Sequence, residues 1–190
     1  MSTTAILKTT VKPRLSVKVP TLAALAAIVG AVAVPQAFHL LGAVSGLGTA
    51  LGETFLPMHL PIILVGLLAG PYAGAIAGLF GPLASFALSG MPGIAMLPFM
   101  MMELCAYGLF AGLLRNVKIP TIAKVVVVQI AGRAVRGAAT LLAVYAFGNE
   151  SVRVASIWMS ISVGIFGIVL QWTLLPLIVY RVESLKNYEE

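Results

Sequence analysis

The stretch VVVVQIAGRAVRGAATLLAV, from Val125 to Val144, carries two arginines in an otherwise apolar run. Its length suits the roughly 20 residues that a helix needs to cross the hydrocarbon of a bilayer. Nothing in it alternates with period two, as a barrel strand does. An arginine at the centre of a membrane helix costs about 2.5–3.5 kcal/mol on insertion scales, so Arg133 and Arg136 must face protein or water rather than lipid. Gln129, Arg133, Arg136 and Thr140 follow the i, i+4, i+7, i+11 spacing of one helical face, with Gly132 and Gly137 beside them.

The composition around this stretch points the same way. Of 190 residues, 60% are hydrophobic and only 9% charged. The mean hydropathy is +1.05. A soluble domain carries about 25% charge, so the bilayer is the expected solvent. The net charge of +6 suits basic edges on a membrane protein better than a nucleic-acid partner. Cys105 is the only cysteine, which excludes an internal disulfide, and aspartate is absent.

Six apolar segments are expected, near 20–43, 58–70, 72–89, 94–114, 121–147 and 155–180, giving an all-α membrane protein. The second and third meet at Gly70-Pro71, a turn signal, and one bent or re-entrant hairpin is an alternative there. Lys8, Lys12, Arg14 and Lys18 precede the first segment, Arg115, Lys118 and Lys124 follow the fourth, and Arg181 and Lys186 follow the sixth. With six crossings all of these fall on one side, which by the positive-inside rule is the cytoplasm, with both termini. Only Arg153 falls in an outside loop. The organisation expected is a basic arm over 1–19, a membrane domain over 20–182 and a tail over 183–190. The first segment also has features of a signal peptide, with Ala31 to Ala33 as a cleavage site. Its apolar run continues to Leu41, which favours a retained helix. The outside stretches, Val44 to Pro57, Ser89 to Gly93 and Gly148 to Arg153, are rich in glycine and proline. The first reads as a mobile gate, so a ligand is expected to enter from outside.

Several chemistries lack their residues. There is no G-x-x-x-x-G-K-[ST] phosphate loop for ATP hydrolysis. His39 and His59 have no partner at metal-ligand spacing. Ser85 or Ser89 with His59 as base lacks a nucleophile frame. No enzyme activity, metal or cofactor is expected.

The intramembrane polar residues carry the candidate chemistry. Glu103 and Arg136 lie about nine and ten residues from the outer ends of their segments, at similar depth for a rise of 1.5 Å per residue. Glu103 can neutralise one arginine, not two. Arg133 is expected to pair with Glu103, leaving Arg136 for an anionic group of a ligand. Ser160, Gly164, Gly167 and Gln171 share a face suited to close helix packing. Trp158 reads as an interfacial anchor or a site residue. Met91, Met96, Met100, Met101 and Met102 suit an irregular apolar ligand or the core. Ala23, Ala27 and Ala31 form a small-residue ridge, for internal packing or for docking another membrane subunit.

The segment Leu56–Pro61 (LPMHLP), with Gly66–Pro71 (GLLAGP), Gly81–Phe86 (GPLASF), Ser89–Pro92 (SGMP), Leu97–Leu104 (LPFMMMEL) and Tyr107-Gly108, resembles the substrate-binding S component of energy-coupling factor (ECF) vitamin transporters, of the pantothenate and cobalamin group. The resemblance runs from the first helix to the sixth. It implies a six-helix binding protein in a bacterial plasma membrane, with the vitamin held near the outer face. It also implies a membrane coupling subunit and two cytoplasmic ATPases as partners, with the Ala23, Ala27 and Ala31 ridge docking on the former. Pantothenate is the favoured vitamin. The candidate binding residues are His59, Glu103, Arg133, Arg136, Asn149, Trp158 and Gln171, the arginines for its carboxylate and Asn149 or Gln171 for a hydrogen bond. Cobalamin would need a wider cavity. Hydroxymethylpyrimidine would want stacking on Trp158, Tyr107 or Tyr145. A stand-alone transporter with Glu103 as proton carrier is the reading of a different class.

Overall fold

A computed structural model describes residues 18–48 and 50–188, without the side chains of 18–20, 183 and 185–188. The basic arm with Lys8, Lys12 and Arg14 lies outside the described residues, as does the side chain of Lys186. Eight helices form: α1 (Lys18–Val44), α2 (Ala50–Phe55), α3 (His59–Ala69), α4 (Pro71–Ser89), α5 (Leu97–Leu114), α6 (Thr121–Tyr145), α7 (Ala155–Val163) and α8 (Ile165–Tyr188). No strand occurs among the described residues. Among the described residues six spans are long and apolar enough to cross a membrane: Thr21–Val44, Ala50–Ala69, Pro71–Ser89, Leu97–Leu114, Thr121–Tyr145 and Ile165–Val182.

Proline and glycine set the helix boundaries. Pro71 and Pro98 sit in the opening positions of α4 and α5, and Pro120 precedes α6. A proline there loses nothing, because the first N–H groups of a helix have no intrahelical acceptor. Gly70, at φ 104°, separates α3 from α4, so the Gly70-Pro71 pair joins two full helices. Gly90, at φ 70°, closes α4 with its N–H donated to Phe86 O.

Two expected boundaries change. The stretch from Val44 to Pro57 is not wholly a loop: Ala50–Phe55 folds as α2 and joins α3 in one span. The chain breaks between them at Leu56, which takes a left-handed φ of 49°, and Pro57 cannot donate to a continuing helix. The sixth segment is likewise two helices, broken at Gly164. The two breaks meet in space. A Cβ on Gly164 would lie 2.7 Å from Leu56 Cδ1, and one on Gly167 would press on the Phe55 backbone. The corner at Leu56 fits because the start of α8 is bare.

The core lies where α3, α4 and α5 meet. A methyl on Gly74 would overlap the Gly108 carbonyl, and one on Gly108 would overlap Gly74. Gly78 meets the Leu104 backbone and Gly112 meets Pro71 in the same way. Small residues let helix backbones approach and gain dispersion contacts that lipid cannot replace. The ridge of α1 packs on this core. Ala27 and Ala31 are buried, Ala23 is half-buried, and Gly81 leaves room for Ala31. Within this chain Ala27 and Ala31 pack inward on α3 and α4. The exposed side of α1 carries Leu22, Leu25 and Val29.

Candidate functional site

A cavity of about 410 Å³ opens at the end of the bundle opposite Arg115, Lys118 and Lys124. Its wall combines the C-terminal half of α1 (Pro35, His39), α2 and the Leu56 corner, the start of α3 (Met58, His59), Ser85 of α4, and the α4–α5 connection (Met91 to Met96). Met100, Arg136 and one face of α7 complete it. The α7 face is Ser156, Met159, Ser160 and Val163, spaced as one helical stripe. Five of the chain's eight methionines line the cavity: Met58, Met91, Met96, Met100 and Met159. Unbranched thioethers adapt to an irregular apolar surface.

The polar end is built on two helices. Glu103 of α5 is fully buried and holds two partners, one per carboxylate oxygen. Tyr107 Oη donates to Oε1 at 2.8 Å, and Arg136 Nη1 donates to Oε2 at 2.9 Å as an ion pair. The Tyr107 ring also lies against His59, with ring centroids 5.3 Å apart. Gly132 of α6 makes this possible, since a Cβ there would collide with the Tyr107 ring. Arg133 takes a different course. Its Nη1 reaches Ser160 O at 3.4 Å and Oγ at 3.5 Å, both long for a hydrogen bond. Among the described residues no carboxylate lies within ion-pair reach of it. The expected pairing is corrected: Arg136, not Arg133, pairs with Glu103, and Arg136 is also the arginine that lines the cavity. Helical spacing puts both arginines on one face, and it is the rotation of α6 against α5 that selects the nearer one.

Several polar atoms at this end are buried without a hydrogen-bond partner: His59 Nδ1, Ser156 Oγ, and Nε of both Arg133 and Arg136. Buried polar groups are normally satisfied, so this end of the cavity has hydrogen-bonding capacity that the chain itself does not fill.

The other candidate residues fall elsewhere. Asn149 caps its own loop, accepting from Ser151 N at 2.9 Å. Trp158 points outward at 75% exposure, in keeping with an interfacial anchor rather than a site residue. Gln171 is buried, but in a relay beside the cavity. Trp172 Nε1 donates to Gln129 Oε1 at 2.7 Å, Gln129 Nε2 donates to Gln171 Oε1 at 2.9 Å, and Gln171 Nε2 reaches Leu56 O at 3.5 Å. This relay ties α6 and α8 to the Leu56 corner. Met101 and Met102 do not line the cavity. Sequence reasoning missed Ser156 and Met159 as wall residues, placed Glu53 only within the outside stretch, and weighed His39 only as a metal ligand, a role it rejected. The i, i+3, i+4, i+7 spacing of Ser156, Met159, Ser160 and Val163 was the available signal. Among the described residues no metal-binding cluster exists.

Comparison with known proteins agrees with this architecture. No curated protein and no solved structure matches the chain. Residues 15–179, however, match the family described as ECF transporter, substrate-specific component. That family implies a small-molecule substrate and a coupling module with ATPases. The six membrane-length spans and the cavity at one end of the bundle accord with that match, and the chain belongs to the family of substrate-specific components of ECF transporters.

Proposed function

We propose that this chain captures pantothenate on the outer side of a bacterial plasma membrane and hands it to a coupling subunit and two ATPases for uptake. The observation that carries the reading is the cluster of two arginines and one glutamate at the polar end of the cavity. The cluster by itself carries one net positive charge and suits an anion; of its members Arg136 lines the cavity, and the acidic Glu53 of α2 lies elsewhere on the wall. Arg136, fixed by Glu103, presents the rest of its guanidinium to the ligand carboxylate, and Arg133 adds charge from behind Ser160. The methionine wall takes the aliphatic body of the vitamin. The volume supports the choice, since 410 Å³ lies within the range of small-molecule sites, about 300–1,000 Å³, whereas a corrinoid is several times too large. Hydroxymethylpyrimidine finds no Phe, Tyr or Trp among the lining residues to stack on. Outward orientation is supported by Arg115, Lys118 and Lys124 at the opposite end. Coupling uses α1, where the ridge of Ala23, Ala27 and Ala31 lies beside the exposed Leu22, Leu25 and Val29.

Equilibrium titration of the purified chain with pantothenate, cobalamin and hydroxymethylpyrimidine tests the assignment. Tight binding of pantothenate alone is expected, and preference for either other vitamin overturns it. Uptake into vesicles separates the transporter classes. Coupled uptake requires ATP and the partner subunits and survives a protonophore. Uptake by this chain alone, abolished by the protonophore, would make Glu103 a proton carrier instead.

A further inference from the structure

We propose that Tyr107 is the positioning residue that gives the site its preference for an anion, although it does not itself line the cavity. This rests on the reading of Arg136 as the carboxylate partner. Tyr107 is fully buried, and its hydroxyl is spent on Glu103 Oε1. Glu103 Oε2 is spent on Arg136. A carboxylate held by one oxygen alone can swing about its Cγ–Cδ bond. Held at both oxygens it cannot, and the guanidinium docked on it is fixed in turn. The Tyr107 ring simultaneously backs His59, the second polar side chain at this end of the cavity. One buried side chain therefore orients two cavity-lining residues on two different helices, α6 and α3.

Gly132 is the other half of the device. It stands one residue before Arg133 and one helical turn before Arg136. Its missing side chain is the space that the Tyr107 ring fills. Any side chain there would push the ring off α6, and with it the hydroxyl from Glu103. Arginine is chosen for carboxylate recognition because its fork matches two oxygens at once. That match survives only if the fork is held at a set angle. Tyr107 and Gly132 set it.

The test compares pantothenate with its neutral alcohol analogue, panthenol, in titrations of the full-length purified chain. The wild type is expected to prefer the acid. Tyr107→Phe, which removes only the hydroxyl, should reduce that preference about tenfold, the order expected for one hydrogen bond to a charged group. Gly132→Ala, which keeps the hydroxyl but displaces the ring, should move the ratio the same way. Gly108→Ala, in the seam away from the cavity, should lower the unfolding temperature and leave the ratio unchanged. An acid-to-alcohol ratio that Tyr107→Phe leaves at the wild-type value overturns the inference, whether or not affinity for both compounds falls, because that is the mark of a purely structural role. If Phe destroys folding, the ratio in Gly132→Ala decides alone. A wild type with no preference for the acid, or binding neither compound, overturns the anion reading of the site, and the inference with it.

Discussion

The seam between α3, α4 and α5 and the rim made by α2 and α7 are built on opposite terms. In the seam Gly74, Gly78, Gly108 and Gly112 bring backbone against backbone, and no side chain could be added. In the rim, neither α2 nor α7 has a single buried residue. Each is short, and each is joined to its neighbouring span through a non-helical residue, Leu56 or Gly164. The seam has one arrangement because close-packed backbones leave no alternative. The rim touches the bundle mainly where Gly164 and Gly167 lie against the end of α2, and the rest of it is exposed or half-buried. A binding protein needs both: a fixed floor to define the ligand's polar contacts and a wall that admits the ligand. The low local stability of such elements is the usual physical basis of gating.

The floor of the cavity, where seam and rim meet, should be the most sensitive point. Glu103→Gln leaves Arg136 buried without its counter-charge, and breaking a buried pair in this way costs about 3–5 kcal/mol. Thermal unfolding in detergent should register it. Adding Arg136→Met removes the stranded charge and should restore much of the stability without restoring ligand binding. If the double variant binds normally, the ion pair is structural and the ligand's anionic group sits elsewhere.

In the seam itself, Gly108→Ala should cost about 1–3 kcal/mol through overpacking, seen as a lower unfolding temperature with ligand affinity per folded molecule intact. A smaller effect follows for the relay beside the rim. Gln129→Leu strands Trp172 Nε1 and the Gln171 amide. Interhelical hydrogen bonds of this kind average about 0.6 kcal/mol and reach about 1.7. Stability should fall modestly, and proteolysis at the Leu56 corner should quicken.

The smallest effect on stability is expected at the rim. Ser160→Ala removes the 3.5 Å contact from Arg133 to the hydroxyl and the hydroxyl's own 2.8 Å bond to Ile157 O within α7, neither of which crosses the seam, so the loss of stability should stay at about 0.5 kcal/mol. Ligand exchange rates, measured by stopped-flow fluorescence, should change more than stability does. Should Ser160→Ala destabilise the chain as much as Gly108→Ala, α7 is part of the rigid body and the contrast drawn between seam and rim fails.

Hydropathy, helical spacing and the clustering of basic residues were enough to determine the membrane class, six crossings and the polar face of α6. These signals are local or additive: a helix satisfies its own backbone in lipid, so each span announces itself without its neighbours. Depth along the helix axis is also local, and it correctly brought Glu103 level with Arg136. The resemblance of LPMHLP, GLLAGP and LPFMMMEL to a transporter family lay in the sequence as well. What needed the tertiary structure was rotation and proximity. Which arginine meets Glu103 depends on how α6 turns against α5, and the fit of Tyr107 over Gly132 sets that angle. Whether Ala27 and Ala31 face a partner or the core depends on where α3 and α4 lie. Asn149, Trp158 and Gln171 are polar or amphipathic residues near the right end, yet each is turned to its own loop, to the outside or to a neighbouring relay. The breaks after α2 and α7 meet at one contact, between Leu56 and Gly164, across more than a hundred residues of sequence. No periodicity records a contact of that range. It exists only once the chain has closed on itself.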